Sequence, residues 1–197
     1  MELHPVVGAD VEAWYRKDLM EAFPPCERKP LENIRALMAD GRYEILGLYA
    51  GAAGRVGFAT LWSHPDWPGY GMLDYLGVAA SRRGGGLGGQ ILDLVRERCR
   101  GKQVLVLEAE LPVPGAPEEE NALRQRRLAF YGRSGCTPVY DTFACGLRCR
   151  AFVLGELPER LTDLKQAHRA IYGPRRDDVV IDPPPDAVPT PPYWMEE

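Results

Sequence analysis

Several things this chain lacks narrow its class before any motif is read. No Cys-x-x-Cys pair occurs, and the five cysteines, Cys26, Cys99, Cys136, Cys145 and Cys149, are odd in number and scattered. They read as reduced thiols packed as small hydrophobes, and no metal site is expected. Neither sign of charge dominates. With 24 Lys and Arg against 28 Asp and Glu the formal net charge is −4, so nothing global points to nucleic acid or to an anionic membrane. No apolar run approaches the length of a membrane span. The opening "MELHPVVGADVEAWY" lacks a charged start followed by an apolar core, so no signal peptide is expected and a cytoplasmic location follows. The histidines, His4, His64 and His168, are isolated along the chain and read as structural or exposed.

What is present is an ordinary globular balance, 45% hydrophobic and 26% charged over 197 residues, enough for one substantial core. "ELHPVV" reads as a first strand. Asp10 is placed to N-cap a helix carrying Val11, Trp14, Tyr15, Leu19 and Ala22 at helical spacing. "FPPCERKP" breaks it. Leu31, Ile34, Leu37 and Met38 mark a second helix that Gly41 would cap. "YEILGLYA" and "RVGFATLW" form a hairpin across "GAAG". "MLDYLGVA" is the next strand, with Gly77 hinting at a bulge or a close backbone approach. A helix from Leu87, the apolar strand "QVLVLEAEL" and a helix over 118–133 follow. "GCTPVYDTFACGLRC" supplies further strand, and Pro158 opens a last helix ended by Gly173 and Pro174. From Asp182 the proline-rich tail is extended or disordered unless it docks. This order predicts a mixed α/β chain, a largely antiparallel sheet with helices on its faces. Three units are expected: residues 1–155, a helical extension over 156–181, and the tail over 182–197.

The stretch "VAASRRGGGLGGQIL" places five glycines at the entrance of a helix. A helix N-terminus offers unpaired N–H groups and partial positive charge, and glycines let an anionic ligand touch them. Gly84 to Gly89 is therefore a candidate phosphate cradle. It is not a Walker P-loop, because no Lys-Ser/Thr follows. Gly84, Gly86 and Gly89 satisfy G-x-G-x-x-G, but mid-chain and after a hairpin, unlike a dinucleotide fold.

These residues resemble motif A of the GNAT family of N-acetyltransferases, Val-x-Pro-x-x-Arg/Gln-x-x-Gly-x-Gly/Ala. Arg83, Gly86 and Gly88 fill the defining places, and Ala80 replaces the common proline. "MLDYLGV" and "QVLVLEAEL" resemble the family's fourth and fifth strands, and "RRLAFYGRSGC" its Ala-x-x-x-Tyr-x-x-x-Gly-Phe segment. Arg124 stands where the family often has Asn, and Cys136 follows Gly135 where Phe is usual. The resemblance covers roughly residues 1–150.

The resemblance implies the GNAT fold, acetyl-CoA as co-substrate, and transfer to a primary amine of a small molecule or peptide by direct attack. It implies that Arg83, Gly84, Gly86, Leu87 and Gly88 hold the pyrophosphate, with Arg82 beside them. It implies that Leu76 and Val78 pair with the pantetheine arm, that Gly77 permits close approach, and that a backbone N–H near Val78 meets the thioester oxygen. Tyr131 matches the family tyrosine at the coenzyme sulfur and is the candidate general acid. Glu108 is the first candidate for the base, directly or through water, with Glu110 on the same strand face and Asp74 as the other choice. "SHPDWPGYG" and "AFPPCERKP" would flank the acceptor. Arg124, Arg126, Arg127 and Arg133 read as a helix face, with Arg127 inward. The resemblance allows a homodimer and gives no nucleic-acid or membrane partner. A non-catalytic acyl-CoA sensor on the same fold is the alternative.

Overall fold

The computed structural model describes residues 1–51 and 54–195; Ala52 and Ala53 of the "GAAG" connection, and Glu196 and Glu197 of the tail, lie outside the described residues. Among the described residues eight strands form one sheet in the order β1-β2-β3-β4-β5-β7-β6-β8. They are β1 (Leu3–Pro5), β2 (Tyr43–Tyr49), β3 (Arg55–Ser63), β4 (Tyr70–Val78), β5 (Val104–Glu110), β6 (Cys136–Ala144), β7 (Leu147–Leu154) and β8 (Val180–Ile181). Neighbours are antiparallel except β4 and β5, which run parallel.

The helices cover both faces. α1 (Asp10–Trp14), α3 (Leu31–Ala39) and α6 (Leu161–Tyr172) bury Trp14, Ile34, Leu164 and Ile171 in one apolar cluster. α4 (Leu87–Cys99) and α5 (Glu118–Arg133) cover the other face, where Ile91, Leu92 and Val95 meet Leu73, Leu105 and Leu107. The C-terminal helix therefore shares a core with the N-terminal half.

Three boundaries differ from the sequence reading. Asp10 is the first helical residue rather than the N-cap, and Ala9 precedes it. The first helix is also interrupted: a π-helical turn (Tyr15–Leu19) joins α1 to α2 (Met20–Ala22). That wider turn puts Trp14 and Leu19, five residues apart, into the same core. Helix α6 starts at Leu161, not at Pro158. Gly41 does follow α3 with φ 68°, and the Arg42 N–H reaches the Leu37 carbonyl at 2.9 Å.

The bulge in β4 is at Asp74, not at Gly77. Thr60 opposes Tyr75 while Leu61 opposes Leu73, so Asp74 is the extra residue. Thr60 Oγ1 closes the irregularity by accepting the Tyr75 N–H at 2.9 Å. The bulge breaks the alternation that would put Asp74 and Leu76 on one face. Asp74 joins Met72 and Tyr75 on the α6 side, whereas Leu76 packs with Leu73 on the α4 side.

Gly77 is needed for a different reason from the one the sequence suggests. A Cβ there would lie 2.2 Å from Phe58 Cε1, so the space belongs to the Phe58 ring on the neighbouring strand. The tail docks rather than hanging free. β8 pairs with β6, Arg148 Nη2 donates to the Pro184 carbonyl at 2.8 Å, and Trp194 Nε1 donates to the Cys26 carbonyl at 3.3 Å.

Gly77→Ala is expected to cost about 1–3 kcal/mol by overpacking, seen as a lowered thermal midpoint. Trimming the ring with Phe58→Leu in the same chain should recover part of the loss. An unchanged midpoint in Gly77→Ala alone would show that the ring moves aside freely.

Candidate active site

The site begins where the β4–β5 ladder ends. Tyr70, Gly71 and Met72 pair with Val104, Leu105 and Val106, and no pair follows. Beyond that point β4 stays with β3 and β5 stays with β7, so the two parallel strands part. A cleft of about 680 Å³ opens between them. Tyr131, Glu108, Asp74, Leu76, Val78, Arg83, Gly84, Gly86, Leu87 and Gly88 all line it.

At one end is the glycine turn. Gly84 (φ 80°) and Gly86 (φ 78°) are left-handed, a conformation other L-residues rarely take. Gly86 immediately precedes α4, and the first helical bond runs from the Gln90 N–H to its carbonyl. The amides of Leu87, Gly88 and Gly89 thus open the helix with no capping side chain among the described residues. No acidic residue occupies that first turn, and Arg82 and Arg83 stand at the rim. Arg83 Nε donates to the Val78 carbonyl at 3.1 Å. Gly88 serves packing as well, since a Cβ there would meet Phe130 Cζ of α5 at 3.1 Å.

The middle of the cleft is backbone. The Ala79 N–H goes to Val56 and the Tyr75 N–H to Thr60, both on β3. By strand alternation the amides of Leu76 and Val78 face the open side. Counting on from Met72 opposite Val106, with Asp74 as the extra residue, Leu76 stands at about the height of Ala109, one residue before Glu110. Tyr131 lines the cleft from α5, packed against Phe130 and Phe152 with centroids at 5.2 and 5.8 Å. Burial pushes its phenol up to about 12, so it holds its proton at neutral pH.

The far end is a set of carboxylates with different partners. Asp74 is engaged through both oxygens, by Lys29 Nζ at 2.6 Å and by the Tyr43 hydroxyl at 2.5 Å. Lys29 also lies over the Trp62 and Tyr75 rings; burial lowers its ammonium, and Asp74 works against that shift. Glu108 accepts from the Thr142 and Tyr172 hydroxyls, each at 2.5 Å, with His168 Nε2 3.5 Å away. Glu110 is clamped by Arg124 Nε and Arg127 Nη1, both at 2.8 Å. Arg127 therefore does face inward, and Arg124 joins it there.

Glu27, from the 3₁₀ turn Pro25–Glu27, is the group that sequence reasoning missed. It lines the cleft beside Glu110. Burial, followed by repulsion from Glu110, pushes its carboxyl up to about 7 against the pull of Arg127 and Arg124. The signal lay in "FPPCERKP", a segment read only as an acceptor flank.

Residues 9–118 match the sequence model of the acetyltransferase (GNAT) family. The chain belongs to that family. Its wide, mostly antiparallel sheet flanked by helices matches solved GNAT structures. One is a GNAT-family protein from Bacteroides thetaiotaomicron, 22% identical, covering 86% of this chain and 95% of its own, with TM-score 0.65. Another is the acetyltransferase from Bacillus subtilis in complex with CoA, at 14%, 79%, 99% and 0.56. A third is a GNAT family acetyltransferase from Elizabethkingia anophelis with acetyl-CoA bound, at 14%, 78%, 97% and 0.57. At these identities the likeness bears on the fold. No curated protein matches the chain in sequence. Among the described residues no helix is long and apolar enough to cross a membrane.

Because the folded protein holds the Glu27 proton up to about 7 rather than the usual 4.5, folding loses stability as pH rises between those values. Glu27→Gln, which never ionises, should therefore unfold at a higher temperature than the parent above pH 7. The gap should close as pH falls towards the usual carboxylate range. Parallel thermal midpoints across that range would show that Glu27 titrates normally.

Proposed function

We propose that this protein is an N-acetyltransferase that moves the acetyl group of acetyl-CoA directly to a primary amine of a small molecule or peptide. One observation carries this reading. A single cleft runs from an open, glycine-bordered helix start, past strand amides and a buried phenol, to carboxylates on the opposite face of the sheet.

The residues fit the coenzyme. The α4 amides and the neighbouring arginines Arg82 and Arg83 suit a pyrophosphate. Leu76 and Val78 present the free strand edge that an extended pantetheine arm would pair with. Acetyl-CoA supplies an acyl thioester already activated for attack. The Leu76 N–H, which faces the open side of the cleft near the end of β5, is the oxyanion donor in this reading, rather than the amide near Val78. Tyr131 gives its proton to the departing sulfur. The apolar walls that raise the phenol disfavour a thiolate in the same place, so donor and acceptor shift together.

For the base the geometry favours Glu27 over both carboxylates first chosen from the sequence. Asp74 neutralises Lys29, and taking up a proton would leave that buried ammonium unpaired. Glu108 already accepts on both oxygens. Glu27 has a carboxyl that changes state near neutral pH and, among the described residues, no ion pair with Lys or Arg. In this reading residues 1–155 are the acetyltransferase unit, 156–181 an extension packed on it, and 182–197 a tail that braces the acceptor side.

The first test is thermal unfolding with acetyl-CoA, CoA, ATP and NAD. A ligand at about a hundred times its dissociation constant adds roughly 2.7 kcal/mol, and only the two CoA compounds should do so. Tyr131→Phe should then lower turnover with an accepted amine by about a hundredfold or more while acetyl-CoA affinity stays within twofold. Normal turnover in that variant would place the acid elsewhere. The pH profile of the parent should climb through about 7, and Glu27→Gln should remove that limb.

A further inference from the structure

The charged groups around the acceptor side pair off almost completely. Lys29 takes Asp74 at 2.6 Å, Arg176 takes Asp178 at 2.7 and 2.8 Å, and Arg124 and Arg127 share Glu110 at 2.8 Å. Two carboxylates remain. One is Glu27, the base in the reading above. The other is Glu108.

Glu108 is almost fully enclosed, its side chain 9% exposed, yet among the described residues it meets no cation. Its donors are the hydroxyls of Thr142 and Tyr172. Its ionisable neighbour at 3.5 Å is His168, whose imidazole burial lowers against the opposing pull of Glu108. His168 Nε2 is itself fully buried and, among the described residues, has no hydrogen-bond partner. Buried charges are ordinarily paired, because a lone one forfeits its hydration without return. Here no Lys or Arg among the described residues pairs with it, and the carboxylate opens onto the cleft from which a ligand can supply the countercharge.

We infer that Glu108 anchors a second cationic centre of the acceptor, making this protein selective for small diamines. This rests on the amine-acetylating reading with the reacting nitrogen at Glu27. The spacing follows from the strand. Glu108 and Glu110 are two residues apart on β5 and share a face, and Glu27 lies against Glu110. Two residues of strand span about 7 Å, close to the separation of the nitrogens in a short aliphatic diamine. The reacting nitrogen lies level with the Leu76 amide, and the second nitrogen reaches deeper, towards the point where β4 and β5 meet.

The test compares 1,4-diaminobutane, 1-aminobutane and 4-aminobutanoate as acceptors, read by release of the CoA thiol. Calorimetry of each amine on the CoA-loaded protein runs in parallel. The diamine should exceed the monoamine at least tenfold in kcat/KM, mainly through KM, and 4-aminobutanoate should be the poorest. In Glu108→Gln the diamine preference should fall to within twofold. Glu108→Asp keeps the charge but withdraws it by one carbon. It should retain a diamine preference and move the optimum towards 1,5-diaminopentane, which decides the matter even if the Gln variant does not fold. Equal use of monoamine and diamine by the parent, or a preference that survives Glu108→Gln, would overturn the assignment. If the parent transfers to none of these amines, the acetylation reading fails for them and calorimetry judges the anchor separately. Diamine binding lost in Glu108→Gln sustains it, and absence of diamine binding to the parent sinks it.

Discussion

Everything functional in this fold depends on a ladder that stops. β4 is bonded to β3 along its length, but to β5 for only three residue pairs. The cause is on both sides of the gap. β5 is held by β7 from Leu105 to Glu110, and the Asp74 bulge adds twist to β4 just where the two strands would have continued together. Backbone N–H and C=O groups are then left on facing strand edges inside the protein. Unpaired polar backbone is costly when dry, so the gap is kept for something that can hydrogen-bond like a strand. The same interruption puts two chemistries within reach of one another: α4 and α5 with their open amides and phenol on one face, carboxylates on the other.

The carboxylates show how partner choice divides labour among chemically similar groups. Asp74, Glu108, Glu110 and Glu27 all border one cleft. Asp74 has a lysine, Glu110 has two arginines, Glu108 has hydroxyls, and Glu27 has chiefly another carboxylate beside it. An ion pair fixes a group in its charged form, while burial near like charge brings the proton's departure close to neutral pH. A buried ion pair is expensive to break from one side, which gives Lys29 and Asp74 a structural part in shaping the bulge.

Much of the fold could be read from the chain because its signals are local. Glutamates first and arginines later outlined α5, Gly41 marked the end of α3, and the glycine run announced the start of α4. Motif positions likewise placed Tyr131 and Arg83 beside one cleft. What escaped is non-local. The bulge at Asp74 depends on a hydroxyl of Thr60 in another strand, so a period of two carried along β4 gives the wrong face for Asp74. Gly77 answers to a ring at Phe58, not to its own neighbours. Glu27 owes its character to burial and then to Glu110, far along the chain, and no spacing rule connects a proline-broken segment to the end of β5. The docking of the tail is of the same kind.

That docking has a consequence for the order in which the protein is made. Trp194, in the proline-rich tail, donates to the carbonyl of Cys26, whose neighbour is Glu27. Its ring also covers Arg176, which in turn covers Tyr172. Synthesis runs from the N-terminus, so the sheet, the glycine turn and all four carboxylates emerge from the ribosome before this brace exists. The coenzyme half can therefore assemble before the acceptor wall is braced.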